Sequence, residues 1–120
     1  MPNVRKNPRF PMSGLVVVKV PSLNLQFSGM IELIGLGGIG IYTREKVNQG
    51  APVLLQIVSF AGSNTSNYHL TGVIRNADRQ NEFGVLGIQF DQPISSNEQP
   101  ILYDFLIREE KKLIAWAKLG

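Results

Sequence analysis

Apolar and polar positions along this chain change rhythm twice, and the changes divide it into three parts. From about residue 13 to residue 91 the rhythm is that of short strands. Leu15-Val16-Val17-Val18-Lys19-Val20 is a β-branched run closed by Pro21. Leu23 to Phe27 alternates, with Leu23, Leu25 and Phe27 on one face and Asn24 and Gln26 on the other. Ser28-Gly29 reads as a turn into Met30 to Ile34, and the glycine-rich bend Gly35-Leu36-Gly37-Gly38 leads into the strand Ile39 to Tyr42. Gly37 and Gly38 are expected to take positive φ and make that bend tight. Val53 to Phe60 is a further apolar run after the turn Asn48-Gln49-Gly50, and Ala61 to Ser66 reads as a polar loop. His69 to Arg75 and Phe83 to Phe90 are strands, with a hairpin at Asn81-Glu82. Closely spaced short strands with turn signals between them predict a small antiparallel barrel or sandwich.

The two ends break this rhythm. Residues 1–12 carry prolines at 2, 8 and 11, which disfavour helix and remove donors from any sheet ladder, so an extended arm is expected. At the other end the apolar period lengthens from two to that of a helix over residues 96–118. Ser96-Asn97-Glu98-Gln99 reads as a capping box, Pro100 is tolerated in a first turn, and Leu102, Phe105, Leu106, Leu113 and Trp116 form one stripe. Glu109 interrupts that stripe, so the helix is expected to leave the barrel surface near there. Packing of a terminal helix is the simpler account of Trp116, and a contact with a partner is the alternative. The domain division is therefore a basic arm over 1–12, a barrel over 13–92 and a helix over 96–118 packed on it.

Composition narrows the chemistry. The 120 residues leave room for one core, and with no cysteine there are no disulfides, thiolate metal sites or cysteine nucleophiles. His69 is the sole histidine and reads as a strand residue facing solvent, so no metal centre is expected. The sequence has no run of about 20 apolar residues to span a bilayer and no apolar core of a signal peptide, which makes the cytoplasm the default. A net charge of +3 suits an anionic partner. Its distribution says more: Arg5, Lys6 and Arg9 fall within the first nine positions, and no acid precedes Glu32.

Two segments in sequence order resemble one family. Arg5-Lys6-Asn7-Pro8-Arg9-Phe10-Pro11 resembles the RxxxR signature that opens PilZ domains, including the proline before the second arginine. Gly29 to Ile41 is similar to the strand-turn-strand that carries that family's [D/N]xSxxG motif. Gly50-Ala51-Pro52-Val53, Gly72-Val73-Ile74-Arg75 and Phe83 to Phe90 fit the family's usual order of strands. The resemblance implies a six-stranded antiparallel β-barrel with a C-terminal helix, a mostly β fold. It also implies a non-enzymatic bacterial signalling module whose ligand is cyclic di-GMP. The implied ligand-binding residues are Arg5, Lys6, Arg9, Gly35 and Gly38. An arginine fork can bond phosphate oxygens in pairs while its flat face stacks on a purine.

One departure is plain. With Gly38 as the final glycine of the second motif, Leu33 stands where the family has Asp or Asn, and Gly35 where it has Ser. Leucine offers no hydrogen bond and glycine only its backbone, and each lost bond costs roughly 0.5–1.5 kcal/mol. Glu32 adjoins Leu33, but alternation along a strand points it to the opposite face and disqualifies it as a replacement. The leading expectation is a cyclic di-GMP receptor of weakened affinity. Beside it stands a ligand-independent adaptor acting through an unidentified protein partner in pilus, motility or secretion systems. A nucleic-acid-binding barrel is disfavoured because the aromatics occupy apolar positions and the strands are not markedly basic. An enzyme is disfavoured because no nucleophile–base pair or carboxylate cluster is present. Membrane insertion and a cofactor are likewise not expected.

Overall fold

A computed structural model describes residues 8–60, 66–80 and 83–119. The expectations attached to Arg5, Lys6, most of the Ala61–Ser66 loop and the Asn81-Glu82 hairpin lie outside the described residues. The strands are β1 (Arg9–Phe10), β2 (Gly14–Val20), β3 (Leu25–Gly35), β4 (Gly38–Thr43), β5 (Pro52–Ser59), β6 (Ser66–Gln80) and β7 (Phe83–Phe90), followed by helix α1 (Pro100–Leu119). Every pairing is antiparallel. Strands β2 to β7 run in the order β3-β2-β5-β6-β7-β4, and β3–β4 pairing closes the ring into a six-stranded barrel. The short β1 adds to the edge of β3, with Arg9 opposite Gly35 and Phe10 opposite Ile34.

Alternation explains the core. In β2, Val16, Val18 and Val20 are fully buried while Leu15 and Lys19 face out. Ile34, Ile39, Ile41, Ile57, Ile74 and Ile88 fill the interior with no exposed surface. Burying each such side chain is worth roughly 1.5–3 kcal/mol, and their branched Cβ atoms suit the pleat. Leu102 and Leu106 of α1 join this same cluster.

Two local readings are corrected. The turn after β2 is the 3-10 segment Pro21–Leu23 with Asn24 in the left-handed region at φ 48°. Strand β3 then runs unbroken through Ser28-Gly29, which is no turn. Gly29 belongs in the strand because a Cβ there would stand 2.5 Å from the Tyr42 carbonyl of β4. The capping hydrogen bonds also sit one residue earlier than the spacing suggests, and they close the turn at 96–98 that precedes α1 rather than the helix itself. Ser95 Oγ accepts from Glu98 N (3.1 Å), and Gln99 Oε1 accepts from Ser95 N (3.2 Å).

From Lys111 to Leu119 the helix is exposed throughout. The departure expected near Glu109 is seen, and Trp116, 73% exposed, does not pack on the barrel. No helix among the described residues is long and apolar enough to cross a membrane.

Candidate functional site

The site is built where β3 breaks its alternation. Ile31 pairs with Ile41, but the next pair is Leu33 with Gly40, so Glu32 is an extra residue and β3 bulges there. Ile31 and Ile34 point into the core, whereas Glu32 and Leu33 are both half-buried between them. The bulge therefore puts Glu32 on the barrel's outer face, with its carboxylate Oε1 only 2.8 Å from the point a Gly40 Cβ would occupy. The strict alternation that disqualified Glu32 does not hold at this position.

Strand β4 supplies a floor without side chains. Ile39 and Ile41 are buried in the core, so Gly38 and Gly40 face outward, and what covers them is charged. The Arg9 guanidinium lies over Gly38, with Nη2 2.6 Å and Cζ 3.5 Å from the position of a Cβ there. Arg9 Nη1 is 3.9 Å from the corresponding point on Gly40, where the Glu32 carboxylate also stands. The arm is held down by the second departure from the family motif. A Cβ on Gly35 would run into the Pro8 carbonyl oxygen and come within 3.1 Å of Arg9 Cγ. A serine at 35 would push the arm off β3; glycine lets it pair.

This close approach corrects the expectation for the bend. Among the described glycines only Gly50 has positive φ, at 95°, so neither Gly37 nor Gly38 supplies a left-handed turn. Gly38 is small because a backbone carbonyl, that of Ile88 at 2.5 Å from a Cβ, and an arginine both crowd it.

Backbone hydrogen bonds tie the bend to the segment between the barrel and the helix. Leu36 O accepts from Ile94 N (2.8 Å), and Gly37 O accepts from Phe90 N (2.9 Å). Ile94 is buried and immediately precedes Ser95, whose side chain closes the turn at 96–98 that leads into α1. Thus the carbonyls of the bend beneath Arg9 anchor the segment that starts the helix.

Two surface grooves adjoin these elements. One, of about 430 Å³, is lined by Glu32, Pro11, Met12, Leu15, Met30 and Phe60 among others. The larger, of about 620 Å³, lies over β2, β5 and β6 beside the turn before α1, with Lys19, Leu54, His69 and Glu98 in its walls. His69 is exposed there, as its strand position implied, and no metal-binding group of acids and histidines exists among the described residues.

Of the residues singled out in the sequence, Arg9, Gly35 and Gly38 come together, while Arg5 and Lys6 lie outside the described residues. Glu32 and Gly40 were missed. The outward alternation of Gly38 and Gly40 along β4 was the one available signal for a side-chain-free patch.

Comparison with known proteins agrees with the fold. A family model described as "PilZ domain" matches residues 3–108. No curated protein matches the chain. Among solved structures, the Bacillus subtilis inhibitor of motility MotI/DgrA is similar at TM-score 0.72 and 15% identity, over 92% of this chain and 53% of that one. The PilZ domain of Escherichia coli YcgR with c-di-GMP matches at TM-score 0.66 and 16% identity, over 97% of this chain and 98% of that one. Apo MrkH of K. pneumoniae matches at TM-score 0.58 and 16% identity, over 93% and 54%. The chain spans about half the length of MotI and MrkH.

Proposed function

We propose that this chain, which belongs to the PilZ domain family, is a cytoplasmic cyclic di-GMP receptor that holds the dinucleotide against its N-terminal arm. The observation that carries this reading is the seating of Arg9 over Gly38 and Gly40, which joins the arm to the bend of the second motif. With no side chain beneath it, the guanidinium lies close against the strand at the bend. A guanidinium suits both parts of the ligand, a phosphodiester by its fork and a purine by its face. Arg5 and Lys6, by resemblance, add further charge from the same arm.

The backbone ties suggest the output. Binding over Gly38 bears on the carbonyls of Leu36 and Gly37, which hold Ile94 and Phe90, and through Ile94 on the start of α1. The exposed half of that helix, with Leu113, Ile114 and Trp116, is the surface offered to a protein partner. The domain binds and relays; it does no chemistry on its ligand.

The experiment is thermal unfolding with and without cyclic di-GMP. A ligand at one hundred times its Kd stabilises the folded state by about 2.7 kcal/mol, several degrees in Tm. A Tm unmoved by millimolar cyclic di-GMP contradicts the reading.

A second reading is favoured by Leu33, which brings no hydrogen-bonding group to the site, and by the exposure of Trp116. On it the chain is an adaptor that has lost its ligand and works through α1. Pull-down with Trp116→Ala tests it, and unchanged partner recovery counts against that contact.

A further inference from the structure

The geometry points to Glu32 as the residue that selects guanine over adenine, an inference that rests on the cyclic di-GMP reading and deepens it. The bulge between Ile31 and Leu33 gives the barrel's outer face an acid that regular alternation would have denied it. The carboxylate lies over Gly40 beside Arg9 Nη1, so the acid and the base end on one glycine. Glu32 also lines the groove of about 430 Å³, where among the described residues it is the only charged residue in the lining. The remaining walls include Leu15, Met30 and Phe60, and Phe60 is 45% exposed.

These features fit one kind of occupant. A flat, partly apolar ring suits walls of methionine, leucine and phenylalanine, with the Phe60 ring available for stacking. The Glu32 carboxylate accepts hydrogen bonds and gives none. Guanine presents N1–H and the N2 amino group side by side, two donors spaced for the two oxygens of one carboxylate. Adenine presents an acceptor at N1, which would face the acid lone pair to lone pair. Outward-facing positions along β4 are spaced by about 7 Å. A phosphate on Arg9 over Gly38 and a base beside Met30, which pairs with Tyr42, are thus two short steps apart on one face. The acid lost at Leu33 is regained one residue earlier, because the bulge brings Glu32 onto that residue's side of the sheet.

The test measures Kd for cyclic di-GMP and for cyclic di-AMP in the intact chain and in its Glu32→Ala and Glu32→Gln variants, with melting curves to confirm folding. The expected result is that the intact chain prefers cyclic di-GMP. Glu32→Ala weakens cyclic di-GMP about ten-fold or more, and narrows the ratio between the two ligands. Glu32→Gln, which keeps one acceptor, falls between. A folded Glu32→Ala variant with unchanged cyclic di-GMP affinity and ratio overturns the role of Glu32 while leaving the receptor reading intact. Tighter binding in that variant also overturns it, because Glu32 would then be an intramolecular counter-ion that competes for Arg9. An intact chain that binds neither dinucleotide overturns both.

Discussion

Arg9 lies on Gly38: its Nη2 stands 2.6 Å from where a β-carbon of that glycine would be, so a side chain there would force the guanidinium to move. The arm and the bend are thereby one site, although twenty-eight positions (9 to 38, exclusive) separate them in sequence. Gly40 makes the same floor under Glu32 but is crowded differently, and the difference is measurable.

A methyl at position 38 meets the Ile88 carbonyl at 2.5 Å as well as the arginine. Backbone cannot yield as a side chain can, so Gly38→Ala is expected to lose about 1–3 kcal/mol in urea unfolding. A methyl at position 40 meets only the end of Glu32 at 2.8 Å, with Arg9 Nη1 further off at 3.9 Å. Gly40→Ala is therefore expected to unfold within about 0.5 kcal/mol of the parent, the small shift of a residue whose neighbour can move. Equal losses at the two positions would contradict the described floor.

Burial separates two large side chains just as sharply. Ile88 has no exposed surface and packs among the strands, and Ile88→Ala is expected to cost about 2–5 kcal/mol. Trp116 is 73% exposed, and Trp116→Ala is expected to leave stability within about 0.5 kcal/mol. Chemical denaturation of both variants decides it; a large loss at Trp116 would mean the helix end is packed.

The cap offers a test of register. Ser95→Ala removes the acceptor for Glu98 N in the turn before α1 and is expected to cost about 0.5–1.5 kcal/mol. Ser96→Ala, one residue on and exposed, is expected to cost almost nothing. The reverse order in thermal unfolding would put the cap where the Ser96 spacing first suggested.

The barrel was readable because its strands are β-branched and alternate, as β2 does from Val16 to Val20, and because the helical period begins cleanly after Pro100. What escaped were features that no local pattern encodes. Ser28-Gly29 has turn composition, yet Gly29 is a strand residue because another backbone, at Tyr42, comes close to it. The bulge at Glu32 is a matter of pairing between β3 and β4, and it overrules the alternation from which the acid's direction was inferred. Gly37 and Gly38 looked like turn glycines; Gly38 instead serves as the floor for Arg9, a partner distant in sequence. Trp116 continues the apolar stripe of α1, but the barrel ends before the helix does. In each case the deciding contact, or its absence, was tertiary.

The central claim is that the arginine arm holds cyclic di-GMP over the Gly38 floor, and calorimetric titration tests it most directly. The intact chain and an Arg5→Ala/Arg9→Ala variant are each titrated with cyclic di-GMP after circular dichroism confirms that both are folded. The predicted result is micromolar or tighter binding by the intact chain and a loss of at least about ten-fold in the variant, from the removal of charge-assisted bonds. Equal affinity in the two proteins, or no heat from either, would contradict it.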